Sequence, residues 1–201
     1  MYKIAAFIEF DKKITNKILI QKKLVKKKFG NQTYLNHPVH LTLFTLNIKK
    51  ISELKKIYMN YKKKQSKPFS VYLTKPGIFY DDPLTGGHTF FHHVKKNKKI
   101  GEIQLKHLKK INDNLIVFKK KKNLFGNKIL KNNYKKYGFP FAGNIWIPHT
   151  TVASIKNLKN NNKYIKQFLS VKIKLRCVIR EIKFYKIVKE RHDFLFNVKD
   201  F

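Results

Sequence analysis

A chain of 201 residues, 42% of them hydrophobic, is long enough for one domain with a full core, and it has no apolar stretch of the roughly 18 to 20 residues that a bilayer-crossing helix needs. The single cysteine, Cys177, excludes an internal disulfide framework and suits a reducing, cytoplasmic setting. A formal charge of +35, from 46 Lys and Arg against 11 Asp and Glu, favours polyanions as partners; a composition skewed to Lys, Asn and Ile gives the same excess without a dedicated surface, and both readings stand.

Residues 2–10 alternate as an opening strand, and their short apolar run followed by acids reads as a strand rather than a signal peptide. From Ile14 to Phe29 the positions Ile14, Ile18, Val25 and Phe29, helped by Leu24, form a helical stripe, with Asp11 as N-cap and Gly30 as stop. A polar turn leads to a strand over 38–48, in which His40, Thr42 and Phe44 share one face and Leu41, Leu43 and Thr45 the other. Ser52 caps a helix carrying Leu54, Ile57, Tyr58 and Tyr61, which ends in Lys62, Lys63 and Lys64. Residues 68–80 and 89–94 pair as a hairpin across the turn that starts at Asp81, with a break in the first strand at Lys75-Pro76-Gly77. A helix follows, its stripe running from Ile100 through Ile103, His107 or Leu108 and Ile111 to Leu115. Residues 119–137 carry little pattern and read as a loop over a cleft or a solvated connection. The chain closes with a strand over 144–155, a short helix over 158–169 and two strands over 174–187 and 194–198.

Two short strings stand out, Pro38-Val39-His40-Leu41-Thr42-Leu43 and Ile147-Pro148-His149-Thr150-Thr151-Val152, their histidines 109 residues apart. In a strand, His and Thr two residues apart point to one face, so two such strands side by side put two imidazoles and two hydroxyls in one cleft. Those groups suit cleavage of a phosphodiester. A neutral His takes a proton, a protonated His gives one, and the hydroxyls donate to phosphoryl oxygens. Each half of the chain presents a helix, a His-x-Thr strand, another helix and two strands. The repeat is architectural, with no shared residues outside the motifs.

These residues resemble the two-histidine (2H) phosphoesterases, the LigT-like 2′-5′ RNA ligases and cyclic phosphodiesterases. The resemblance rests on the two strings with Trp146 before the second, on their separation, on the element order, and on Arg180-Glu181-Ile182-Lys183-Phe184-Tyr185-Lys186, which looks like that family's penultimate strand. It implies an α+β fold: a single domain over 1–201, bilobal, with a pseudo-twofold arrangement of two antiparallel-type sheets, outer helices and a central cleft. It also implies metal-independent action, without a cofactor, on 2′,3′-cyclic or 2′-5′ phosphodiesters of RNA or oligonucleotides. His40, Thr42, His149 and Thr151 are then the catalytic site of a phosphoric diester hydrolase. Which His is acid and which base is open. Surrounding lysines should lower the imidazole pKa values and a bound phosphate should raise them, so a bell-shaped pH profile is expected.

For a base or phosphate of the substrate, the aromatic candidates are Tyr34, Phe91, Tyr137, Phe139 and Trp146, each of which a hydrophobic core could equally claim. Lys186, Lys189 and Arg191 are candidates to reach a phosphate from the closing hairpin. His88, His92 and His93 have only Asp81 and Asp82 as nearby carboxylates, so no metal is expected there. His37, three residues before His40, reads as a loop residue, and Cys177 as a buried thiol. The chain is expected to act as a monomer without a membrane. Two other functions remain: cleavage of a linear or cyclic oligonucleotide immune signal by the same site, and RNA binding by a non-catalytic protein with remnant motifs.

Overall fold

The computed structural model describes residues 1–59, 67–115, 117–118, 127–189 and 191–199. In chain order the elements begin β1 (Tyr2–Glu9), α1 (Lys12–Phe29), β2 (His40–Ile48), α2 (Ile51–Met59), β3 (Phe69–Asp82) and β4 (Gly87–Val94). They continue α3 (Lys98–Asn114), α4 (Lys128–Tyr137), β5 (His149–Ile155), α5 (Lys163–Leu169), β6 (Leu175–Ile179), β7 (Ile182–Val188) and β8 (Arg191–Val198), with a 3-10 turn at Gly143–Ile145.

The strands form two four-stranded antiparallel sheets, ordered β2-β1-β7-β8 and β5-β4-β3-β6. Each sheet therefore takes two neighbouring strands from the first part of the chain and its remaining strands from the second. The two lobes are thus not the two halves of the sequence. β1 lies between β2 and β7, which explains why Ile4 to Ile8 are all buried rather than alternating. β2 and β5 are each an edge strand of their own sheet, and they meet across the seam between the lobes without pairing to each other.

Helices cover the sheets. α1 starts where the Asp11 carboxylate accepts the Ile14 N–H at 2.9 Å, and it stops at Gly30, whose φ of +70° is open to glycine at no steric cost. Its buried stripe of Ile14, Ile18 and Val25 packs toward β5 and β4, where Gln21 meets the His92 ring at 2.7 Å, while Leu24 is exposed. α5 lies on the same sheet through Phe168 against Phe90. The other sheet is covered by α2 and α3. Tyr58 contacts the His107 and Phe184 rings, and Gln104 donates to the Leu43 carbonyl at 2.8 Å. Burying each of Leu43, Phe44 and Phe184 completely contributes about 1.5–3 kcal/mol of transfer free energy.

The structure departs from the sequence-based expectation in several elements. The second half of 119–137, expected as loop, is the helix α4, capped by Asn127 and stopped by Gly138 at φ +69°; residues 119–126 lie outside the described residues. Only Tyr134 of α4 is buried, so its stripe was too thin to register. The strand expected over 144–155 begins at His149, because Gly143–Ile145 turns first. The expected strand 174–187 is two strands in different sheets, divided at Arg180-Glu181. Ser52 lies inside α2 rather than capping it, and Tyr61 and Lys62–Lys64 fall outside the described residues. The break at Lys75-Pro76-Gly77 is a register shift within the continuous strand β3. Phe44 does not share the face of His40 and Thr42: a bulge after Thr42 reverses the phase, and Phe44 is fully buried against Phe184.

Candidate active site

The two motif strands are built alike. In β2 and β1, Thr42 pairs with Phe7 and Phe44 with Ala6, leaving Leu43 as the extra residue of a bulge. In β5 and β4, Thr151 pairs with Phe91 and Ala153 with Phe90, leaving Val152 as its counterpart. Each bulge lets buried apolar residues continue beyond the Thr while His and Thr stay on the opposite, half-buried face.

Both histidines make the same local bond. The His40 Nδ1–H donates to the Pro38 carbonyl at 2.8 Å, and the His149 Nδ1–H donates to the Ile147 carbonyl at 2.7 Å. A carbonyl can only accept, so each neutral ring carries its proton on Nδ1 and leaves Nε2 as the reactive nitrogen. The tie to the chain's own backbone also fixes the ring orientation before any substrate arrives.

Their surroundings differ. His40 stacks on Phe7, with ring centroids 3.8 Å apart and planes at 24°, and meets the edge of His192 at 5.4 Å. Burial, aided by His192, His37 and Lys22 and opposed by the Pro38 carbonyl, pushes His40 down to about 3. Glu9, its cross-strand partner, is held by Lys183 at 2.7 Å and by the Tyr185 hydroxyl. Burial pushes the Glu9 carboxyl up, but those two donors outweigh it and keep it below the usual range. His149 instead packs against the stacked pair of Phe91, at 4.9 Å, and Phe79, at 5.2 Å. Burial holds its pKa below the ordinary value, against the Ile147 carbonyl; His93 adds to the lowering and Asp82 opposes it.

Of the remaining expected residues, Phe91 is buried directly beside His149. Tyr34 sits at φ +72° in the loop before β2, edge-on to His37 at 5.1 Å. Such a backbone angle is costly for a tyrosine, and Lys22 maintains it by donating to the Tyr34 and His37 carbonyls at 2.6 and 2.7 Å. Phe139 and Trp146 lie in the hydrophobic core and Tyr137 packs against it. Lys186 lies over the Tyr2 ring, Lys189 is at the β7–β8 turn at φ +54°, and Arg191 pairs with Asp193 at 2.7 Å. His88 and His92 are bound to different neighbours, the Asp81 N–H and Gln21, and Cys177 is buried. Among the described residues no group of three or more His, Cys, Asp or Glu is arranged to hold a metal.

Sequence reading missed Phe7, Lys22 and His192. Lys22 left a signal, because it occupies the gap in the apolar stripe between Ile18 and Val25 and is only 4% exposed. His192 left none, since only the sheet order β2-β1-β7-β8 brings it beside His40.

Residues 2–201 match the family model of the AKAP7 2′5′ RNA ligase-like domain. Among solved structures the chain is similar to TT0787 of Thermus thermophilus, at 14% identity over 98% of this chain and 96% of that one, with a TM-score of 0.64. It is also similar to LigT of E. coli complexed with NADP+, at 12% identity, 98% and 96% coverage and a TM-score of 0.55. The LigT complex with 3′-AMP gives 10% identity, the same coverages and 0.54. At these identities the likeness is one of fold, α+β with two antiparallel sheets. No curated protein sequence matches the chain.

Proposed function

Because this chain belongs to the AKAP7 2′5′ RNA ligase-like family, within the LigT-like 2H phosphoesterases, we propose that it is a metal-independent phosphodiesterase acting on 2′,3′-cyclic phosphate or 2′-5′ phosphodiester bonds of RNA or oligonucleotides. The observation that carries the reading is the duplicated unit: a bulged edge strand, a Thr two residues after a His, and Nδ1 tied to the chain's own carbonyl on both sides of one seam. The nucleotide complexes of LigT support a nucleotide ligand here.

The charges favour one assignment of the roles. Among the described residues the charged groups acting on His40 are His192, His37 and Lys22, all of which disfavour its cation, whereas Asp82 favours the cation of His149 against His93. His40 Nε2 therefore takes the proton from water or a ribose hydroxyl as its oxygen bonds to phosphorus. His149 Nε2–H gives a proton to the oxygen that leaves, and Thr42 and Thr151 donate to the non-bridging oxygens as charge builds there. In the reverse reaction the two histidines exchange roles.

The test is turnover of nucleoside 2′,3′-cyclic phosphates and 2′-5′-linked diadenylate in EDTA. His40→Ala and His149→Ala should each lose about 10²- to 10⁴-fold in rate. An activated diester with nitrophenolate as leaving group needs no acid, so it should rescue His149→Ala and not His40→Ala. Near-normal activity in both variants would overturn the mechanism, and equal rescue of both would overturn the assignment of roles.

A further inference from the structure

Two lysines that the chemistry above does not use turn their ammonium groups onto backbone carbonyls beside the motif strands. Lys22 falls on the buried stripe of α1, between Ile18 and Val25, and is 4% exposed. Its Nζ donates to the Tyr34 carbonyl at 2.6 Å and to the His37 carbonyl at 2.7 Å, in the loop that enters β2. Lys96 lies just past the end of β4, and its Nζ donates to the carbonyls of Gly143 at 2.9 Å, Asn144 at 2.8 Å and Trp146 at 3.1 Å, in the segment that enters β5. Burial lowers the pKa of both lysines, that of Lys22 to about 8, a cost that the charge-assisted bonds offset.

The two clamps meet the chain at equivalent points. His37 stands three residues before His40, and Trp146 three residues before His149. In each case the next carbonyl along the chain, that of Pro38 or Ile147, accepts the Nδ1–H of the histidine at 2.8 or 2.7 Å. A peptide unit is planar, so holding the His37 oxygen also restrains the Pro38 nitrogen. The proline ring fixes φ near −65°, which leaves only Pro38 ψ free between the clamp and the carbonyl that holds His40. On the other side Ile147 precedes Pro148, and a residue before proline is confined to extended backbone. A short, stiff path therefore joins each ammonium to the acceptor that sets the tautomer and direction of one histidine.

We propose that Lys22 and Lys96 are a matched pair of positioning residues, Lys22 for His40 and Lys96 for His149, each acting through the carbonyl three residues before its histidine. The proposal rests on the phosphodiesterase reading for what the histidines do, but its first readout does not require turnover.

Nitrogen-15 NMR of the histidine rings in Lys22→Met and Lys96→Met decides it, because the ring nitrogen that carries the proton is set by the bond made at Nδ1. Both rings should be Nδ1–H in the wild type. Lys22→Met should turn His40 into a mixture of the two neutral forms and leave His149 as it was; Lys96→Met should do the reverse. With 2′-5′-linked diadenylate each variant should lose about 10- to 10²-fold in kcat, with KM within about twofold of the wild type. Lys96 is an exposed residue, so its variant keeps the fold and is decisive even where Lys22→Met does not fold. An unchanged His149 in folded Lys96→Met overturns the proposal, as does a shift of both histidines together in either variant, which general loosening would give. Failure of the phosphodiesterase reading would appear separately, as absence of product from every diester with the crossed tautomer pattern intact.

Discussion

At the scale of single residues, the cleft is set up to keep its histidines neutral. His40, His149 and His192 all lie below the ordinary value of 6.5, His40 at about 3 and His192 at about 4. When the chain unfolds, these rings regain their ordinary affinity for protons. Between 6.5 and those depressed values the unfolded state binds more protons, so stability rises with pH there. The contribution is complete above about pH 6.5 and is lost as pH falls toward 4 and then 3. A pH series of thermal melts should show Tm falling through this window, and His192→Phe should flatten the fall; an unchanged slope would refute the claim. The same depression places the optimum of kcat/KM, which reports the free enzyme, on the acid side of 6.5. An optimum above neutrality would contradict it. The cationic surroundings of these rings were legible in the lysine-rich composition, but burial is the larger cause, and no residue count reveals burial.

At the scale of elements, the bulges do what the motif alone cannot. A regular β2 would keep Phe44 on the face of His40, as alternation predicted; the extra residue Leu43 turns Phe44 into the core instead. The strand on the other side of Phe91 is equally tight. A Cβ on Gly77 would lie 2.6 Å from Phe91 Cζ and 2.8 Å from His93 Nε2. Gly77→Ala should therefore push the Phe91 ring, which is 2% exposed and 4.9 Å from His149. The expected outcome is a stability loss of about 1–3 kcal/mol together with a fall in kcat. Wild-type kcat in a folded Gly77→Ala protein would show that Phe91 does not position His149. Elements bounded by local chemistry were readable, as α1 shows with Asp11 and Gly30 at its ends. α4 has the same signals in Asn127 and Gly138, but its single buried residue gave no stripe to look between them.

At the scale of the molecule, the chain interleaves its halves. β7 comes from the last fifth of the sequence and pairs along the inner side of β1, with Ile182 and Phe184 fully buried. A chain ending at Arg180 should leave β1 as a bare edge and the core around Phe44 open to water. Dye binding should report an open core in it, and a sharp melt without dye binding would show that β1 and β2 hold their core without β7 and β8. The same interleaving builds the cleft, because His192 enters it from β8, which is separated from the His40 strand β2 by β1 and β7. The sequence echo pointed to two equivalent halves. The lobes are instead mixed, because antiparallel pairing joined the C-terminal hairpin to the N-terminal strand.

The amino-acid sequence by itself determined the local chemistry: two His-x-Thr faces in strand-forming context, the capped ends of α1, the β3–β4 hairpin, and the resemblance that named an α+β fold with two sheets. Those features depend on neighbours a few residues apart, so periodicity and turn residues carry them. Only the tertiary structure decided which strands are edges, where the bulges reverse a face, and that His37 and His192 gather at His40 while Phe79 and Phe91 gather at His149. Those features depend on pairings between segments far apart in the chain, and burial in the resulting core, rather than any local pattern, sets the protonation of the histidines.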